Sequence, residues 1–249
     1  MSEEPTVEGL EPVSPAPPTR LSLPQFSVRA TYYLIAVNIA VFVLNTLLDD
    51  VLTQYGALVP GLVVLYLQWW RLITAGFLHA NLVHIVFNLY ALRGLGSLME
   101  RFFGASRLLI AYGLALLGSS ALVTVFSPLA APTVGASGAI MGVLGALVVF
   151  FWHYRDLLVG GRGYLSQLAR MALINIGIGL LPGISWWGHL GGFLMGAAAG
   201  FLLIPRYERS GLLTPRLTLR RLEAKSWVGV GLLLMAELLL VAISVGWRG

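Results

Sequence analysis

Apolar runs dominate the chain, and the polar residues between them mark where each run stops. Runs at 30–48, 82–98, 108–126, 137–152, 168–181, 187–204 and 227–245 predict seven membrane-crossing helices. Asp49 and Asp50 end the first run, and a short Pro182-Gly183 turn divides the fifth from the sixth. Residues 51–78 are also apolar but are broken by Pro60-Gly61, Gln68 and Arg71, with Trp69 and Trp70 placed like an interfacial aromatic pair. This stretch predicts a long, half-submerged loop packed against protein, because irregular backbone is tolerated at membrane depth only where protein covers it.

Charge sets an orientation. With the amino terminus cytoplasmic, the inner segments hold Arg101 and Arg107, then Arg155 and Arg162, then Arg206, Arg209, Arg216, Arg220, Arg221 and Lys225. The outer links 127–136 and 182–186 hold no charge. That is a positive-inside pattern, and counting 51–78 as a span would destroy it. The carboxyl terminus is then outside.

Composition agrees. Of 249 residues, 57% are hydrophobic and 11% charged, and the mean hydropathy is +0.83. A soluble domain carries about 25% charged residues. The net charge of +5 lies beside the apolar runs and forms no basic stripe with interleaved aromatics, so nucleic acid is not an expected partner. The absence of cysteine excludes disulfides, thiolate catalysis and Cys-based metal sites. Residues 1–26, rich in proline and early acidic residues, read as a disordered cytoplasmic tail rather than a targeting signal.

Intramembrane polar residues are costly and therefore candidates for function. Ser137 stands between Gly135-Ala136 and Gly138 at the start of a span. Alone it reads as a helix-packing residue. His189 precedes Gly192, Gly196 and Gly200 at spacings of 3, 7 and 11, which put those glycines near its own helix face and invite a close neighbour. Both residues lie at the outer ends of their helices, so they can meet at one depth. His84 and Asn88 share a face at i and i+4, also near the outer side, and both carry N–H donors. Four polar groups from three helices at one depth suggest a serine peptidase built on a Ser-His pair, with no acidic residue evident to orient the histidine. His79 is expected to be structural, with Asn81 as a possible cap for the helix that follows. His153 is expected at the inner interface. No H-E-x-x-H is present, and neither a metal nor a cofactor is expected. Glu237, near the middle of the last run, fits none of these roles. A transporter would spread polar groups through the membrane depth, whereas here they gather at one end.

These motifs resemble those of the rhomboid intramembrane serine proteases: His79-x4-His84-x3-Asn88, Gly135-Ala-Ser137-Gly138, and Gly188-His189-Leu-Gly-Gly192. The resemblance runs from about Ala30 to Ile204, and it extends to Trp70-Arg71 in the loop and to Glu100. It implies Ser137 as nucleophile and His189 as base. His84, Asn88 and the Ser137 amide are implied as oxyanion donors. A departure is Met141, where the family has an aromatic against which the histidine packs. The implied fold is an all-α polytopic membrane protein, a six-helix bundle plus one extra carboxyl-terminal helix. The expected division is a tail at 1–26, a catalytic core at 27–206, a basic cytoplasmic linker at 207–226 and the extra helix at 227–249. The expected activity is endoproteolysis of transmembrane proteins near the outer face of a bacterial plasma membrane. The alternative is an inactive relative that binds and sorts transmembrane clients.

Overall fold

The computed structural model describes residues 25–210, 216–219 and 222–248. Most of the expected tail, residues 1–24, lies outside them. Helix α1 is Ala30–Leu47. It has no side-chain cap of its own, and its first amides are satisfied from another helix. Glu100 Oε1 accepts from the amides of Arg29 at 2.9 Å and Ala30 at 2.8 Å, and Oε2 accepts from the amide and hydroxyl of Thr31 at 2.9 and 2.7 Å. A buried carboxylate here answers both the orphan donors and the positive end of the helix dipole.

The loop at 51–78 is folded rather than irregular. It holds α2 (Val51–Gly56), α3 (Pro60–Tyr66), α4 (Arg71–Thr74) and a 3-10 turn at Ala75–Phe77. Pro60 opens α3, where its missing N–H costs nothing. Arg71 is buried and binds the three pieces together: Nε donates to Gln68 Oε1 at 2.6 Å, and the two terminal nitrogens donate to the carbonyls of Ala57 at 2.6 Å and Gln54 at 3.1 Å. The loop is tied to the link before Ser137. Leu58 and Thr133 exchange backbone bonds at 3.0 and 2.8 Å, Gly61 N donates to Leu129 O at 2.8 Å, and Gly135 N to Ala75 O at 2.9 Å.

Helix α5 (Leu82–Ala91) runs through a π-helical segment, Leu92–Gly96, into α6 (Ser97–Phe103). The core follows: α7 (Ala105–Phe126), α8 (Ser137–Tyr154), α9 (Gly161–Ile178) and α10 (Trp186–Leu203). Ala139, Val143 and Leu147 of α8 are fully buried, and Phe102, Phe103, Phe150 and Phe151 form an aromatic cluster at its far end. Within the expected linker, β1 (Tyr207–Ser210) and β2 (Arg216–Leu219) pair antiparallel; apart from these two strands the named elements among the described residues are helical. Helix α11 (Ala224–Arg248) lies against α7 and ends with Arg248 donating to the carbonyls of Thr124, Val125 and Ser127 at 2.6, 2.8 and 2.8 Å. Among the described residues, five helices are long and apolar enough to cross a membrane: α1, the continuous α5–α6 rod, α7, α8 and α11. Helices α9 and α10 are also 18 residues long.

Candidate active site

Ser137 is the first residue of α8. The turn that delivers it needs glycine at 135 for two reasons. Gly135 has φ +126°, which a residue with a Cβ rarely adopts. A Cβ there would also sit 2.7 Å from His84 Nε2. The imidazole of His84 therefore lies directly over the turn. As a first-turn residue, Ser137 contributes an amide that the helix itself leaves without an acceptor.

His189 sits in the first turn of α10. Ser185 caps that helix, its hydroxyl accepting from Gly188 N at 3.1 Å. His189 is 7% exposed, and each ring nitrogen has a partner. Nδ1 lies 2.9 Å from the backbone carbonyl of Asn175 on α9, and Nε2 lies 3.1 Å from Ser137 Oγ. A carbonyl can only accept, so Nδ1 carries the proton of the neutral ring. Nε2 is then a lone pair aimed at the serine hydroxyl, which donates to it. The pair can deprotonate Ser137 as it attacks, and the Asn175 carbonyl holds the ring and steadies the imidazolium that results.

What lets two helices bring these side chains so close is glycine. A Cβ on Gly192 would collide with the Gly138 carbonyl, and one on Gly196 with the backbone of Gly142. A Cβ on Gly200 would come within 2.5 Å of Ala146 Cα. The stripe expected from the sequence thus faces α8, and the second half of the contact is Gly138, Gly142 and Ala146. Ser119 of α7 enters the same layer, its hydroxyl lying against Gly138 and Gly188.

The remaining expected residues distribute as follows. Asn81 caps α5, its Oδ1 accepting from His84 N at 2.9 Å. His79 is buried, and its ring meets His84 edge-on with centroids 5.1 Å apart. Asn88 is buried one turn beyond His84, and its amide donates to the His84 carbonyl at 3.0 Å rather than to Ser137. Met141 is buried one turn after Ser137. His153 and Glu237 lie apart from the pair: His153 is in the last turn of α8, and Glu237 is buried beside Gly118 at the α7–α11 contact. The group that orients His189 was not foreseeable. It is a main-chain carbonyl, which any residue at 175 would offer, and the Asn175 side chain is turned away onto Met171 O at 2.8 Å.

Residues 66–206 match the rhomboid domain. Among known proteins, the chain is 35% identical over 183 residues to the rhomboid protease GluP of Bacillus subtilis, covering 71% of this chain and 35% of that one. It is 36% identical over 162 residues to RHOMBOID-like protein 6, mitochondrial, of Arabidopsis thaliana, covering 63% of this chain and 50% of the relative. To Rhomboid-type serine protease 2 of Emericella nidulans it is 35% identical over 147 residues, with 55% and 27% covered. It thus matches no more than about half the length of any of these three relatives.

Proposed function

The chain belongs to the rhomboid family, and from that premise we propose that it is an active intramembrane serine endopeptidase. It is an integral, multi-pass membrane protein, and its family includes named serine proteases. One observation carries the reading: Ser137 Oγ and His189 Nε2 stand 3.1 Å apart, with Nδ1 held by Asn175 O at 2.9 Å. This is nucleophile, base and orienting acceptor in hydrogen-bonded sequence.

In the proposed reaction Ser137 Oγ attacks the scissile carbonyl of a transmembrane segment near the outer face. His189 takes the hydroxyl proton and returns it to the leaving amine. Water then hydrolyses the acyl-enzyme, with His189 again as base. The oxyanion is received by the Ser137 amide at the positive end of α8, by His84 over the Gly135 turn, and by Asn88 once its amide swings from the His84 carbonyl. The substrates are membrane proteins whose helix unwinds near that face. The protein acts in the plasma membrane of a bacterial cell with its amino terminus inside and its carboxyl terminus outside, as the arginine distribution favours.

The test is cleavage of a generic single-span substrate by the full chain in liposomes, beside labelling by a fluorophosphonate. Wild type cleaves and labels at Ser137. Ser137→Ala and His189→Ala each abolish cleavage, and the double variant is hardly worse, because the two act as one unit. Cleavage by folded Ser137→Ala protein would remove the mechanism. A wild type that binds spans, neither cleaves nor labels, would establish the inactive client-binding relative instead.

A further inference from the structure

The π-helical segment Leu92–Gly96 lies within the continuous α5–α6 rod and carries Arg93 on the rod's exposed face, in line with Val86 and Tyr90. Leu92 and Leu95 face the core, whereas Arg93 and Gly94 are exposed. Single-turn π segments cluster at functional positions. Arg93 lies inside an apolar span, where an arginine is expensive unless something answers its charge. Nothing in the described residues does: Arg93 makes no hydrogen bond or ion pair there.

Instead Arg93 lines an open groove of about 290 Å³ between α1 and α5, with Tyr32, Ile35, Leu89 and Tyr90. Neither tyrosine hydroxyl is bonded among the described residues, and both rings are exposed. The groove therefore combines a planar cation, two phenolic donors and an aliphatic floor. We propose that it binds an anionic phospholipid, the phosphate on Arg93 with the two tyrosine hydroxyls and an acyl chain along Ile35 and Leu89.

Depth and charge both favour this occupant. Arg93 is seven residues before Glu100, so about 10 Å separates it from the level where Glu100 caps α1. A long arginine snorkels toward the headgroups of that leaflet, and its fork suits two phosphate oxygens. A second copy of this chain is a poor alternative. The carboxylates within its membrane spans, Glu100 and Glu237, are both buried, at 0% and 3% exposure, and cannot reach a neighbour's Arg93.

The experiment uses the full chain in nanodiscs of phosphatidylcholine with a minor fraction of phosphatidylglycerol, and native mass spectrometry of lipid retained after mild detergent release. Wild type should retain one phosphatidylglycerol preferentially. Arg93→Gln should weaken retention about tenfold, the loss of one charge-assisted contact. Arg93→Lys should fall between them, and Tyr90→Phe should weaken it less. These variants face lipid and leave the core untouched, so they fold. Ser137→Ala should retain the lipid as wild type does, so failure of the proteolytic reading would be seen separately. Equal retention by wild type and Arg93→Gln overturns the proposal. So does displacement of the lipid by millimolar inorganic phosphate, which would make the site a free-anion site. A dimer that Arg93→Gln dissolves would also overturn it, in favour of a protein occupant.

Discussion

Gly196→Ala is the sharpest probe of how the Ser137–His189 distance is held. Gly196 lies seven residues after His189 on the same helix face, about 10 Å along α10. Its Cβ would fall on the backbone of Gly142, and backbone cannot step aside as a flexible side-chain tip can. Ordinary carbon contacts lie near 3.5–4 Å, so α10 must retreat from α8 by roughly 1.5 Å. Ser137 Oγ and His189 Nε2, now 3.1 Å apart, would then stand near the edge of hydrogen-bond reach or beyond it. A misplacement of that size costs about a hundredfold in turnover, close to 3 kcal/mol. Overpacking also lowers stability by roughly 1–3 kcal/mol, so turnover must be counted per folded molecule. The assay pairs substrate cleavage with the rate of fluorophosphonate labelling at Ser137, since both depend on the base. Gly113→Ala is the control: on α7, a Cβ there meets nothing within 4 Å, and activity should be unchanged. Wild-type turnover and labelling by folded Gly196→Ala protein would refute the idea that the glycine contact sets the dyad.

The other predictions follow from single contacts. Asn175→Ala should retain activity, because the backbone carbonyl and not the side chain holds His189; collapse of turnover in a folded protein would assign the orienting role to the side chain. Asn88→Ala and His84→Ala should each lower turnover on the order of a hundred- to a thousand-fold with little change in substrate binding, as loss of an oxyanion donor does. If Asn88 serves only its bond to the His84 carbonyl, the same sample will instead melt earlier and turn over normally. The chain has no cysteine, so orientation is open to single-cysteine labelling. Ala130→Cys should react with an impermeant reagent from outside and Val159→Cys only from inside, both positions being exposed; the reverse result would invert the topology.

The helices were legible along the chain because a membrane-crossing helix satisfies its own backbone and needs only a long apolar run with polar ends. The run expected at 137–152 is α8 at Ser137–Tyr154, and that expected at 30–48 is α1 at Ala30–Leu47. Asn81 was legible as a cap for the same reason, since its bond is to an amide three residues away. The glycine spacing after His189 announced a close helix contact, but not with which helix; Gly138, Gly142 and Ala146 became its partners only when α8 and α10 packed. Residues 51–78 looked like loop because their hydrophobicity is interrupted, yet Arg71 gathers carbonyls as far away as 17 positions and folds them into short helices. Arg93 shares the outward face that helical spacing gives Val86 and Tyr90, but the groove it lines exists only once α1 packs beside α5. The orienting acceptor for His189 could not be read at all. A backbone carbonyl carries no mark in the side-chain alphabet, and only the packing of α9 against α10 places Asn175 O beneath that ring.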